Sequence, residues 1–150
     1  MINEDILDTM VRTAIDAMRN AYTEHGARAV GACVLASDGT LYTGCTIDNA
    51  SPQLVMNAEA VAIARAVADG KREFDAMVVA SDTKKPYVPC GTSCQLMAEF
   101  HVQEIIMADT QGNVEKAELA ELLPYAAKRE ELLGKEKVPS FRYEIDDENF

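Results

Sequence analysis

The chain has 150 residues, 48% of them hydrophobic, with only 5 prolines and 8 glycines, enough to bury one substantial core and too apolar for a disordered chain. Its 14 Lys and Arg stand against 25 Asp and Glu, a net charge of -11 that repels polyanions and argues against an extended nucleic-acid groove. No run of 18 apolar residues marks a membrane span, and the opening MINEDILD lacks the basic and apolar regions of a secretory leader, so a cytoplasmic protein with no membrane partner is expected, its four cysteines reduced.

Taken in order, Ile6, Leu7, Met10, Val11, Ala14, Ile15 and Met18 recur at helical spacing behind Asn3, a residue suited to an N-cap. A helix over residues 4 to about 23 is predicted. "AVGACVLASDGTLYTGCTID" reads as two strands joined by Ser-Asp-Gly, with Asp38-Gly39 supplying the positive φ values of a tight hairpin. The Ala-rich stretch from Leu54 to Asp69 predicts a helix closed by Gly70. "FDAMVVASD" then reads as a buried strand, "KKPYVP" as a loop, "GTSCQLMAEFH" as a short helix and "EIIMAD" as a strand. Two short helices are predicted through "AELAELL" and "AAKREELL", split by Pro124. A single domain over 1–134 is expected, followed by a tail over 135–150 that reads equally as an edge strand or as disorder.

Two short motifs fall at helix starts on this frame: Asn57-Ala58-Glu59-Ala60 after the hairpin, and Pro89-Cys90-Gly91-Thr92-Ser93-Cys94 after the next strand. Strands running the same way bring both starts to one edge of the sheet, where ligands bind in open α/β folds. A [His/Cys]-x-Glu on one helix with Pro-Cys-x-x-Cys on the next is the zinc deaminase pattern, whose glutamate shuttles protons to a zinc-activated water. Over roughly residues 20 to 125 the chain resembles the small homotetrameric cytidine deaminases and their blasticidin-S deaminase relatives. The resemblance is carried by "VGACVLASDGTLYTGCTIDNAS", "NAEAVAIARAVADGKREFDAMVVASDT", "PCGTSCQLMAEF" and "ELAELLPYA". It implies a three-layer α-β-α cytidine deaminase-like fold with a central mixed sheet of about five strands, a small-molecule ligand and a homo-oligomer, expected to be a tetramer.

At the chemistry the chain departs from the family. Where the resemblance implies a cysteine ligand before Ala and the catalytic glutamate, Asn57 stands before Ala58 and Glu59; the ungapped match of Gln95 and "MAEF" puts Ser93 on the second cysteine ligand and Cys94 on an arginine. Only Cys90 keeps its type. An open zinc site needs three protein ligands, chiefly His and Cys, so Asn57, Cys90 and Ser93 predict weak zinc binding, and no cofactor is expected. The alternative is zinc at a shifted site of Cys90, Cys94 and Asn57, since i and i+4 share a helix side; Cys94 otherwise reads first as a small core residue, and after that as the partner of Cys90 in a local disulfide or as a functional thiol. An arginine common after the family glutamate is Ala60 here, so two thiolates and two nearby guanidiniums are absent together, leaving neither set unpaired. Glu59 and Cys90 are the candidate catalytic residues, Glu59 reading equally as a first-turn acid. Arg28, at an aromatic position of the family pocket, Thr46 and Asp48, in its ribose-binding segment, and Asn57 are the candidate substrate contacts. An arginine there suits a carboxylate or phosphate, and reads equally as a solvated surface residue. His25 and His101 have no partner at metal spacing, and Cys33 and Cys45 read as core. Three functions stay open: a ligand-binding relative without standard zinc-dependent deamination, a zinc-dependent hydrolytic deaminase of a cyclic amidine, and a non-catalytic pseudoenzyme subunit.

Overall fold

The computed structural model describes residues 2–129 and Glu131. Helix α1 (Glu4–Met18) starts at Asn3, whose side chain accepts the Ile6 N–H at 2.9 Å, with Glu4 and Asp5 in the first turn. It ends five residues short of the expected 23. The cause is tertiary: the Tyr22 N–H donates to the Thr46 carbonyl at 3.0 Å and Tyr22 bridges Ile47 as in a parallel sheet, which the helical conformation forbids.

Strands β1 (Val30–Ala36) and β2 (Leu41–Cys45) form the expected antiparallel hairpin. Its turn departs in detail. Gly39 takes a φ of +89° but Asp38 does not take a positive φ; instead the Asp38 carboxylate accepts the Thr40 N–H at 3.0 Å. Helix α2 (Ala58–Ala68) starts four residues later than the composition suggests. Met56 is drawn into extended pairing with Ile47 through two backbone bonds of 3.0 and 2.9 Å, and Pro52–Leu54 forms a separate 3-10 turn. Strand β3 (Phe74–Ser81), helix α3 (Gly91–Glu99) and strand β4 (Glu104–Asp109) follow as expected. A fifth strand, β5 (Val114–Glu118), then precedes α4 (Leu119–Leu122), which falls within the first of the two short helices predicted there. Of the second, over 126–133, residues 126–128 are not helical and 129 and 131 are, while 130, 132 and 133 lie outside the described residues, as do the 134/135 boundary and the tail.

The sheet order is β2-β1-β3-β4-β5, with β3 and β4 parallel and the other neighbours antiparallel. Because β1 is antiparallel to both β2 and β3, those two run the same way. The helices that follow them, α2 and α3, therefore start at one sheet edge. Helix α1 covers the face of Cys33, Leu35, Val78 and Ile106, while α2 and α3 cover that of Ala32, Val34, Val79 and Ile105. This is the expected three-layer α-β-α architecture around a mixed five-stranded sheet. Among the described residues no helix is long and apolar enough to cross a membrane.

Two glycines set how closely the layers approach. A Cβ on Gly31 would lie 1.9 Å from the Ala14 carbonyl oxygen of α1, and one on Gly44 would lie 2.1 Å from the Ala58 carbonyl oxygen of α2. Both obstacles are helix backbone, which cannot swing aside as a side chain does. Gly31→Ala or Gly44→Ala is expected to cost about 3 kcal/mol or more in urea denaturation. Gly91→Ala, which meets nothing within 4 Å, is expected to stay within about 0.5 kcal/mol of the parent.

Candidate active site

Asn57 and Cys90 are the N-caps of α2 and α3, and neither uses its side chain to cap its helix. The Asn57 side chain crosses between the helices instead. Its Nδ2 donates to Cys90 Sγ at 3.3 Å and to Ser93 Oγ at 3.1 Å, while Cys90 Sγ lies 3.7 Å from Ser93 Oγ. An amide, a thiol and a hydroxyl thus meet at one point, the amide two residues before Glu59. That carboxyl is 2% exposed. Burial pushes it above the usual carboxylate range, against the pull of its own backbone N–H and of the Ser93 hydroxyl. Cys90 is exposed; burial of its sulfur raises the thiol, but the Ser93 and Thr92 N–H groups and the Ser93 hydroxyl outweigh that and leave it below the usual thiol value.

Cys94 occupies a different environment. It is 1% exposed, within the core beneath α3, and its thiol faces the Pro89 carbonyl at 3.9 Å. Burial raises it, and the nearby Cys90 and Glu59 charges raise it further. All four cysteines are free, so Cys90 and Cys94 are not joined. Cys33 is buried and pushed up to about 12. Cys45 is half-buried, and His25 and His101 are exposed. Among the described residues no group of three His, Cys, Asp or Glu side chains is placed to hold a metal ion.

Thr46 and Asp48, both buried, turn toward the backbone between residues 25 and 30. Asp48 Oδ2 accepts the His25 and Ala27 N–H groups at 2.8 and 3.0 Å, Oδ1 accepts the Asn49 N–H at 2.8 Å, and Thr46 Oγ1 accepts the Val30 N–H at 3.0 Å. Arg28 lies on the segment so held and is exposed. Tyr87, in the loop between β3 and α3, belongs to this neighbourhood. Burial raises its phenol, Glu59 and Cys90 add to the rise, and Arg28 opposes it. The only sequence signal for Tyr87 is an aromatic three residues before Cys90.

The Ala27 N–H holds the Asp48 carboxyl below the usual carboxylate range, against burial, with the Asn49 and His25 N–H groups adding to it. A carboxyl depressed in this way stabilises the fold above its unfolded-state pKa, near pH 4, and the contribution disappears as the pH falls through the lower folded-state value. Asp48→Asn is therefore expected to lower the urea midpoint at pH 7, with the gap from the parent closing as the pH is taken below about 4.

Comparison with known proteins agrees with this geometry. Residues 5–109 match the family described as the cytidine and deoxycytidylate deaminase zinc-binding region. A cytidine deaminase of Sporosarcina psychrophila is 36% identical over 128 residues, covering 84% of this chain and 94% of the relative. One of Halalkalibacterium halodurans is 35% identical over 125 residues, covering 82% and 95%. The crystal structure of cytidine deaminase from Burkholderia pseudomallei superposes with a TM-score of 0.78 at 32% identity, covering 84% of this chain and all of that one. On the family match over residues 5–109, the two relatives above 30% identity and the shared fold, the chain belongs to the cytidine and deoxycytidylate deaminase family.

Proposed function

We propose that the cleft between the starts of α2 and α3 binds a small nucleoside-like or other heterocyclic ligand without the zinc-dependent deamination typical of the family. The observation that carries this reading is the Asn57 amide, which donates to both Cys90 and Ser93. A nitrogen that donates its protons has no lone pair for a metal, and the other end of the amide is a neutral oxygen. Zinc that keeps an open position for water draws three ligands from imidazole, thiolate and carboxylate. One thiol, one hydroxyl and one amide do not fit that requirement, and no step is derived through the metal.

In this reading the chain's own groups do the following. Buried Glu59 holds a proton that it can give to a ring nitrogen of a cyclic amidine. Cys90, at the start of α3 and open to solvent, is the nucleophilic group facing such a ligand. Asn57 fixes both helix starts and presents its amide to the ligand, while Thr46 and Asp48 form the wall that holds residues 25–30. The free cysteines fit a reducing, cytoplasmic setting.

A second reading, zinc-dependent hydrolytic deamination of cytidine or a related base, is favoured by the kinship. The relatives matched over 94% and 95% of their lengths are named cytidine deaminases, and Glu59 and Cys90 keep their types. In this chain that reading would use Cys90, Cys94 and Asn57, and Cys94 would have to leave its contact with the Pro89 carbonyl in the core.

Elemental analysis of the purified protein separates the two. The proposed reading expects far less than one zinc per chain and no ammonia from cytidine. Asn57→Cys combined with Ser93→Cys is expected to raise zinc content, because both positions already lie within reach of Cys90. Stoichiometric zinc with ammonia release in the unmodified protein would establish the second reading.

A symmetric oligomer, in the proposed reading a tetramer, accords with the surface beside the cleft. Tyr22, Ile47 and Met56 are neighbours through their backbone bridges and are exposed, with Leu54 also open to solvent. Such a contiguous apolar rim fits association between copies. Light scattering at tens of micromolar is expected to give a multiple of the 16.4 kDa chain mass; a monomer would count against it.

A further inference from the structure

We infer that Arg28 is the ligand-selecting group of this cleft and that it selects a heterocycle carrying an anionic group, a carboxylate or a phosphoryl group. The inference rests on the ligand-binding reading above and names its ligand class.

The backbone around Arg28 is fixed from both sides. On one side the Ala27 N–H donates to Asp48 Oδ2 at 3.0 Å and the Val30 N–H to Thr46 Oγ1 at 3.0 Å. On the other, the Ala29 carbonyl accepts the Ser81 hydroxyl at 2.7 Å. Thr46 and Asp48 follow the end of β2 and Ser81 is the last residue of β3. These are the strand ends from which the chain continues to α2 and α3, so the anchors hold Arg28 at the sheet edge where Asn57 and Cys90 meet.

Among the described residues the guanidinium has no protein partner. Arg12 and Arg19 hold carboxylates and Arg65 and Arg72 hold carbonyl oxygens, whereas Arg28 makes no hydrogen bond or ion pair among the described residues although the chain carries a net charge of -11. Its charge does reach the Tyr87 phenol, which Glu59 and Cys90 also reach. Cation, phenol, thiol and buried acid therefore share one neighbourhood. A guanidinium held on a rigid backbone with its donors unused matches the paired oxygens of a carboxylate or phosphate, and its planar fork binds them through parallel hydrogen bonds. The amide, thiol and hydroxyl of Asn57, Cys90 and Ser93 offer no second cation for that task.

Titration calorimetry with two matched pairs of probes tests this: uracil against orotate, which adds a ring carboxylate, and cytidine against cytidine 5′-monophosphate, which adds a phosphate. At least one anionic probe is expected to bind about tenfold or more tightly than its neutral counterpart. The pair showing the preference identifies a carboxylate or a phosphate as the selected group. In Arg28→Gln the ratio should fall to within about twofold, and Arg28→Lys, which keeps the charge but loses the fork, should retain only part of it. Ratios near one in the parent, or a preference that survives Arg28→Gln, overturn the inference. Binding of uracil or cytidine without an anionic preference leaves the ligand-binding reading standing and removes this one. Failure of all four probes to bind removes both.

Discussion

The first turn of α2 lies directly against β2 because Gly44 has no side chain; the space a Cβ would need is held by the Ala58 carbonyl oxygen and the Ala62 N–H. That turn carries Glu59, and its N-cap is Asn57. The close approach thus sets the depth of the acid and the position of the amide together. On the opposite face Gly31 allows the same intimacy with α1, so the β1–β2 hairpin is gripped by helix backbone from both sides. With β2 and β3 running the same way, α3 has to start beside α2, and the Asn57 to Cys90 contact follows. The chemistry of the cleft rests on two positions where the sheet presents nothing but hydrogen.

A neutral hydrogen-bonded junction also changes the electrostatics of this edge. Three thiolates around a divalent cation would concentrate strong charges in a half-buried site and require further charged side chains to balance them. The junction of Asn57, Cys90 and Ser93 makes no such demand, and it coexists with alanine at position 60 and a core thiol at position 94. Of the ionisable side chains on this edge, Glu59 is kept toward its neutral form by burial, Asp48 is held ionised by backbone N–H groups, and Arg28 is open to solvent.

The readable parts of the sequence were those in which local pattern and tertiary demand agree. The seven apolar positions of α1, the Gly39 turn, β3, buried except at Asp75, and the two helix starts follow from spacing and turn chemistry, and both motifs stand at helix starts as expected. The end of α1 and the start of α2 were misplaced because Tyr22 and Met56 pair with Ile47 across the fold, and composition carries no trace of that pairing. Strand β5 was invisible since Val-Glu-Lys-Ala-Glu presents an exposed edge with no apolar alternation to detect. In the site, the convergence of Asn57, Glu59, Cys90 and Ser93 was legible from the paired motifs. The hydrogen bonds that Asp48 and Thr46 make to the backbone of residues 25–30, and the nearness of Tyr87, were not. Each depends on where a loop lies in space, which single-chain patterning does not encode.

Strand β5 has a consequence for how the molecule behaves in a crowded solution. An open sheet edge offers unpaired N–H and C=O groups to any extended chain that approaches, the first step of runaway aggregation. Among the described residues that edge is β5, five residues long and displaying Glu115, Lys116 and Glu118, so an incoming strand would have to strip water from three charged side chains. Lys116 is also tied to Glu104 of the neighbouring strand at 3.6 Å. The composition that hid this strand from pattern reading is what keeps the sheet from growing sideways. It leaves the rim of Tyr22, Ile47 and Met56, past the end of β2 at the other side of the sheet, as an exposed apolar surface where the proposed association between copies would take place.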